Sequence, residues 1–322
     1  MGNTEGGTGR AYDETWGDAA RAVAEAGLRG LSLSCPRCGG GGILFSKWVP
    51  KMAVKPLYVC HSNGNGAFKA CHLTREQSQA ARSQIGLRRD DVLKTLRMGK
   101  AFVLFSGGKD SLCLLEYLRR LAKELRKEIT ALHVDTTAGF PEVEEYVARV
   151  CRRLKVPLDV LRPTHDYFEI AKRWGIPGVR ARWCCETLKV APIRRYLAQV
   201  EGPKVVFDGI RAAESPTSAT YVPVWYHPAF RCLSVSPIFY WSDARVRGYI
   251  EKHGLPKSPV AHLNTSAECW CGAYKCRRDF EGLLEVHPEI FEKLVEVEEA
   301  QNGRFTFLFE GGQRVPLKSL KT

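Results

Sequence analysis

Residues 102–121 constrain the fold of this chain more than any other stretch. Phe102 to Phe105 form a short apolar run of the kind that makes a buried strand. The run stops at Ser106-Gly107-Gly108-Lys109-Asp110-Ser111, after which Leu112, Leu114, Leu115, Leu118 and Leu121 recur at helical spacing. Strand, glycine turn and helix N-terminus, in that order, build an anion site. The glycines let the backbone approach a phosphate, the unbonded N–H groups of the first helical turn point at it, and the helix dipole favours its charge. Lys109 adds a point charge, and Ser106 and Ser111 add hydroxyl donors. A glycine turn with a coincidental lysine is the plainer alternative.

The pattern beyond this loop alternates. Strands are expected at 129–134, 158–161 and 204–208, and helices at 141–154, 166–174 and 186–199. Strands separated by helical segments of this length predict an α/β fold, a doubly wound parallel sheet, with its ligand site at the carboxyl ends of the strands. After residue 210 the chain reads as irregular, rich in proline and aromatics. Helices resume near 242–253 and 277–300, and 305–309 is a candidate last strand. Ahead of the sheet, residues 1–30 read as a tail and a helix over 12–28, 31–73 as a four-cysteine module, and 74–98 as a helical linker. The α/β domain then covers 99–260, and a cysteine-rich, helical extension covers 261–322.

Cys35-Pro-Arg-Cys38 is a knuckle that places two thiolates on one metal, and Cys60 and Cys71 can complete a tetrahedral zinc site. His61 and His72, each beside a cysteine, are substitutes. About forty residues with so few apolar side chains need such a staple, although redox or free thiols are the other reading. Lys47, Trp48, Lys51, Lys55 and Tyr58 give this small zinc-binding module a basic and aromatic surface that suits nucleic acid or merely solvates the module. A second constellation joins Cys184 and Cys185 to Cys269, Cys271 and Cys276. Four of these five thiolates can close a [4Fe–4S] cluster, leaving one as a free thiol that carries sulfur. Zinc, or thiols without a metal, are the alternatives. Cys113 and Cys151 lie on helical apolar faces and read as core, and Cys232 is ambiguous.

The formal net charge is +13 over 322 residues, and residues 149–195 hold twelve Lys/Arg against four Asp/Glu. Such a field suits a polyanion, whether tRNA, DNA or a phosphate-rich nucleotide, or else a basic solvated surface. No apolar run approaches the ~20 residues of a membrane span. The first residues hold no apolar signal core, so a cytoplasmic location without membrane contact is expected. Twelve cysteines in that compartment point to metal or redox chemistry rather than disulfides.

Ser106 to Ser111 departs from the longer G-x-x-x-x-G-K-[ST] loop and resembles the SGGKDS loop of the N-type ATP pyrophosphatases, the PP-loop family. His133-Val134-Asp135-Thr136 with Phe140-Pro141-Glu142 resembles the "VDT…FPE" segment of the phosphoadenosine phosphosulfate (PAPS) reductase family within that group. So do Arg182 to Lys189 with Pro192, Asp208 to Ser215 (the G-x-R-x-x-[EQ]-S motif), and Pro237-Ile238 to Tyr249 with Trp241. These motifs run in family order over about residues 95–295.

The resemblance implies that Ser106, Gly107, Gly108, Lys109, Asp110 and Ser111 hold nucleotide phosphates, and that Asp135 and Thr136 lie beside the adenosine. Gly209 and Arg211 would close over the phosphate end, with Lys109, Asp110 and Arg211 as the catalytic residues and Asp110 helping to hold Mg²⁺. The cluster positions of iron–sulfur members would fall on Cys184 or Cys185 with two or three of Cys269, Cys271 and Cys276.

Two departures set the expected function. Sulfonucleotide reductases usually have a degraded Lys-Asp pair, whereas Lys109-Asp110 is intact. They also carry a C-terminal Glu-Cys-Gly motif, and no cysteine follows Cys276 here. In addition, the residues after Glu214-Ser215 are Pro-Thr-Ser, without the arginine often found there. The expected activity is therefore ATP pyrophosphate release and adenylation of an acceptor, a nucleic acid such as tRNA or DNA, for sulfur transfer from an unidentified donor. ATP, Mg²⁺, Zn²⁺ and a [4Fe–4S] cluster would take part, and a homodimer is allowed. Reduction of PAPS or adenosine phosphosulfate is the alternative, followed by sulfate adenylylation and by a non-catalytic zinc- and nucleotide-binding module.

Overall fold

A cysteine-rich antiparallel sheet precedes the alternating part of the chain. A computed structural model describes residues 28, 30, 32–46, 57–62, 68–178, 181–227, 229–261, 269–273 and 275–321. Strands β1 (Ser32–Ser34), β2 (Gly41–Ser46), β3 (Leu57–Ser62) and β4 (Phe68–His72) pair in sequence order. Helices α1 (Arg75–Gln84) and α2 (Arg89–Arg97) follow. Thr74 caps α1 by accepting from the Gln77 amide at 3.2 Å, and the Gln77 side chain accepts from the Thr74 amide at 3.0 Å. Asp91 Oδ2 accepts from both the Arg88 amide (3.1 Å) and the Gly30 amide (3.2 Å), tying residue 30 to α2.

From β5 (Lys100–Leu104) strands and helices alternate: α3 (Lys109–Glu124), β6 (Ile129–Val134), α4 (Pro141–Leu154), β7 (Leu158–Leu161) and α5 (Tyr167–Trp174). A three-residue turn α6 (Trp183–Cys185), a π-helical segment (Glu186–Val190) and α7 (Ala191–Ala198) lead to β8 (Lys204–Phe207). Then come β9 (Val224–His227), β10 (Cys232–Val235), α8 (Asp243–Lys252), α9 (Arg277–Val286), α10 (Pro288–Ala300) and the hairpin β11 (Leu308–Glu310) to β12 (Gln313–Val315). The six-stranded sheet has the order β7-β6-β5-β8-β10-β9. No helix among the described residues is long and apolar enough to cross a membrane.

The chain forms two compact units. One takes in the described residues up to Leu104, with Cys113–Thr130 and Val200–His253. Here β5 pairs with β8 and β8 with β10 in parallel, while β9 runs antiparallel to β10. Phe102, Val103, Val206, Phe207 and Val235 are buried in it. The other unit comprises Phe105–Leu112, Ala131–Gln199 and Gly254–Thr322. There β6 and β7 pair in parallel, and the Glu298 carboxylate accepts the amides of Phe307 and Leu317 at 2.8 and 2.7 Å, which pins the C-terminal segment to α10.

Several sequence expectations are corrected. The stretch after 210 contains the β9–β10 hairpin, whose four-residue strands lie among prolines and aromatics that mask their period. The expected helix 277–300 is two helices, because Pro288 lacks the N–H and starts a new helix. The expected helix 186–199 begins with the π segment, and in place of one last strand at 305–309 there is a hairpin, 308–310 pairing with 313–315. The expected helix 12–28 lies outside the described residues except for Leu28, which is not helical. Cys113, Cys151 and Cys232 are buried.

Asp208, just after β8, is a buried carboxylate that accepts from Ser236 Oγ (2.5 Å), Ser234 Oγ (2.9 Å) and the Ile210 amide (3.2 Å). Burial raises its pKa against the pull of these bonds. Its contribution is therefore largest below the ordinary carboxylate range and declines as pH rises through the raised value. Asp208→Ala orphans these donors and should cost about 1–3 kcal/mol. Asp208→Asn, beside serine hydroxyls that can turn to accept, should cost less. Thermal melts of both variants check the order; equal melting of Asp208→Ala and wild type would refute it.

Candidate nucleotide and thiol site

Gly107 stands at φ +79°, a conformation that favours glycine, and turns the chain from β5 into α3. Ser106 Oγ lies 3.0 Å from Ser111 Oγ, and Ser111 Oγ donates to Gly108 O at 3.0 Å. The two hydroxyls thus brace the turn from within. Lys109 Nζ lies 3.3 Å from Asp110 Oδ2 at the first turn of α3. The base of the loop is fixed to β6, since the Phe105 amide donates to Leu132 O (2.8 Å) and His133 Nδ1 bonds Phe105 O (2.9 Å). Sequence reading missed His133, although it lies inside the His-Val-Asp-Thr motif.

At the end of β6 the Asp135 carboxylate accepts the Thr137 amide (2.9 Å) and pairs with Arg162 (3.1 Å), which also grips Glu144 (2.7 Å). Thr136 is fully buried. Thr137 takes a left-handed backbone, φ +60°, and its hydroxyl accepts the Tyr167 amide at 2.7 Å. In the other unit, Gly209 and Arg211 follow β8. The Arg211 guanidinium is 1% exposed; it donates to Trp241 O (2.9 Å) and pairs with Asp243 (2.8 Å). A guanidinium read as closing over phosphate is thus enclosed and holds the 241–243 segment.

Tyr167 ties this loop to the cysteines. Its ring stacks on Trp183 (centroids 5.9 Å apart, 15° between planes), and its hydroxyl donates to Cys271 O at 2.7 Å. The Trp270 amide donates to Ala138 O at 2.5 Å, a second tie between the segment after β6 and the Cys269–Cys271 strip. Tyr167 belongs to no motif, and sequence reading gave no signal for it.

Cys184 Sγ donates to Cys271 Sγ at 4.0 Å. Hydrogen bonds from the Cys184 and Cys269 thiols hold Cys271 well below the ordinary thiol range. The single Cys184 proton can turn to Cys271 or to Cys185; where it turns to Cys185, the pKa of that thiol is lowered, with Lys189 and Arg182 adding to the effect. Four of the five sequence-nominated sulfurs therefore gather. Cys276 is exposed at the start of α9, where its amide donates to Asp279 at 2.9 Å. Donor chemistry fits an iron–sulfur cluster: an all-thiol set, thiolates favoured, in a largely enclosed place.

The N-terminal sheet gathers a different donor set. Ligand atoms of Cys35, Cys38, His61 and Cys71 all lie within 4.8 Å of one another. Val59 is opposite Cys71 in the ladder, so His61, two residues on, shares the Cys71 face. His61 Nδ1 bonds Gly41 O (2.9 Å), which leaves Nε2, 3.5 Å from Cys38 Sγ, as the ligand atom. The fourth ligand position thus falls to the histidine. Of Cys60, only the backbone, in β3, is described. His72 packs on Tyr58 instead.

The chain spans only part of the curated relatives it matches. An uncharacterized protein of Methanocaldococcus jannaschii is 33% identical over 156 residues, 48% of this chain and 32% of that protein. An adenosine 5'-phosphosulfate reductase of Anoxybacillus flavithermus is 27% identical over 145 residues, 44% of this chain and 60% of the enzyme. Among solved structures, PAPS reductase from Candida auris in its phosphate complex covers 62% of this chain and 96% of its own, at 19% identity and TM-score 0.44. Residues 100–264 match the family model described as the phosphoadenosine phosphosulfate reductase domain. That segment holds the loop, the Asp135 turn, Cys184-Cys185 and the Arg211 segment, and the chain belongs to the PAPS reductase domain family.

Proposed function

We propose that the chain cleaves ATP between the α and β phosphates, adenylates an oxygen of a nucleic-acid acceptor, and exchanges that oxygen for sulfur. One observation carries the reading: Lys109 and Asp110 stand as an ion pair at the first turn of α3, beside a turn braced by two serine hydroxyls. The Gly107–Lys109 amides, the helix dipole and Lys109 would stabilise charge building on departing pyrophosphate. Asp110 would hold Mg²⁺ against the phosphates. The acceptor oxygen attacks the α phosphorus as the bond to the β-phosphate oxygen breaks. AMP then leaves when a sulfur nucleophile attacks the activated carbon or phosphorus.

Cys184, Cys185, Cys269 and Cys271 would hold a [4Fe–4S] cluster; with a thiolate on each of its four irons it would order this end of the site, and sulfide would come from a separate donor. The tie from Thr137 through Tyr167 to Cys271 supports placing the two chemistries side by side. Cys35, Cys38, His61 and Cys71 would hold zinc as a structural staple. A second reading is favoured by the relatives named adenosine 5'-phosphosulfate reductase. In it a cysteine thiolate attacks the sulfonyl sulfur and releases AMP, and an external thiol then frees sulfite.

Anaerobic protein with [α-³²P]ATP, Mg²⁺ and RNA, DNA or no acceptor decides between them. Acceptor-stimulated release of AMP and pyrophosphate is expected; thiol-dependent sulfite release from adenosine phosphosulfate without ATP cleavage would move the assignment to the reductase. Lys109→Ala should lower ATP cleavage at least about a hundredfold with an unchanged melt, and wild-type turnover in that variant excludes the pyrophosphatase. Cys185→Ser should bleach the visible absorbance of reconstituted protein, and an unchanged spectrum removes Cys185 from the cluster. Chelation of the N-terminal metal, followed by metal analysis and melting, should release about one zinc per chain and lower the melting temperature; an unaltered melt after zinc loss would rule out the staple.

A further inference from the structure

Trp174, Phe305, Arg173 and Arg304 have no role in the site described above, whereas Trp183 and Arg182, ahead of Cys184-Cys185, do. Trp174, the last residue of α5, is 63% exposed, and its edge meets Trp183 at 5.6 Å. Phe305, 49% exposed, lies within 3.5 Å of where a Gly175 side chain would begin. Two exposed rings thus lie next to Gly175, Trp174 before it in the chain and Phe305 against it in space. Residues 170–185 contain four Lys/Arg and no Asp/Glu. Within that run Arg173 and Arg182 are exposed, as is Arg304 beside Phe305.

We infer that Trp174 and Phe305 form a stacking platform for an unpaired base of a single-stranded nucleic acid, with Arg173, Arg182 and Arg304 contacting its phosphates. The inference rests on the reading of a nucleic-acid acceptor and names where that acceptor is gripped. Exposed rings accept any base, while the cationic flank follows the backbone; together they select single strands over duplexes. A run with no acid of its own, although Glu296 pairs with its Lys172, favours a polyanion over an apolar protein partner, which would need no cations. Trp183 links the platform to the thiols: it pairs edge-to-face with Trp174 and stacks on Tyr167, and Cys184 follows it in sequence. A nucleotide next to the stacked base would then reach the Cys184–Cys185 end of the thiol group.

The test is fluorescence anisotropy of end-labelled twelve-nucleotide single-stranded RNA, the same sequence as DNA, and an RNA duplex, without ATP, at several salt concentrations. Wild-type protein should bind a single strand better than the duplex and quench part of its tryptophan fluorescence. Trp174→Ala should weaken binding about tenfold and Trp174→Phe far less. Arg173→Glu should weaken it and flatten the salt dependence. RNA bound over DNA assigns the acceptor as RNA, and the reverse as DNA. Wild-type affinity in Trp174→Ala, or a preference for duplex, overturns the platform. If Trp174→Ala melts early, Trp174→Phe with loss of the fluorescence quench decides alone. Pyrophosphate release is measured separately, so the platform can fail while the adenylation reading stands, and the reverse.

Discussion

The buried phenol of Tyr167 is the constraint on which the thiol-bearing unit depends. Its amide is held by Thr137, its ring by Trp183 and its hydroxyl by Cys271 O. Three segments far apart in sequence thereby share one side chain. A hydroxyl this deeply buried costs free energy unless bonded, so the Cys271 carbonyl must stay where it is. The left-handed Thr137, a strained place for a β-branched residue, is held by a different bond, its hydroxyl accepting the Tyr167 amide. Rigidity is the product: the turn after β6 and the Cys269–Cys271 strip cannot move independently without orphaning Tyr167.

Two cysteine groups in one chain answer different needs. In the N-terminal sheet the histidine tautomer is fixed by Gly41 O, and four donors converge within one small, sparsely apolar sheet. That is the arrangement of a closed, structural site. In the second group the sulfurs share protons: the Cys184 and Cys269 thiols lower the pKa of Cys271, and the one Cys184 proton can serve Cys185 instead. Lys189 and Arg182 add positive charge there. A thiolate-favouring group beside an exposed cationic flank suits chemistry better than stapling.

Much of this was legible because local and global signals agree. The loop at 106–111 reads from glycine, lysine and a leucine period, and β7 and α4 fall where their apolar spacing puts them. The β9–β10 hairpin was not legible, since four-residue strands between prolines and aromatics carry no usable period. At the metal group Cys35, Cys38 and Cys71 were legible, with His61 named only as a substitute; that it and not Cys60 is the fourth donor was not. Cys60 and His61 are adjacent, so a one-residue difference in register decides which of them faces Cys71. Arg211 marks another boundary. Its motif gives its position, but only packing reveals that its guanidinium is committed to Trp241 O and Asp243.

Charge shows why composition alone misleads about partners. The stretch 149–195 is strongly basic, yet several of its cations are engaged within the protein. Arg162 pairs with Asp135 and Glu144, Lys172 with Glu296, and Arg194 with Glu186. Arg153 and Arg195 donate to the carbonyls of Gly254 and Arg162. A field counted from sequence therefore overstates what reaches solvent. What distinguishes residues 170–185 is not the number of cations but the absence of acids among them, next to rings left open to water. Positive potential falls off within about 10 Å at ordinary ionic strength, so its placement beside the thiols, rather than its total, selects where a polyanion can settle.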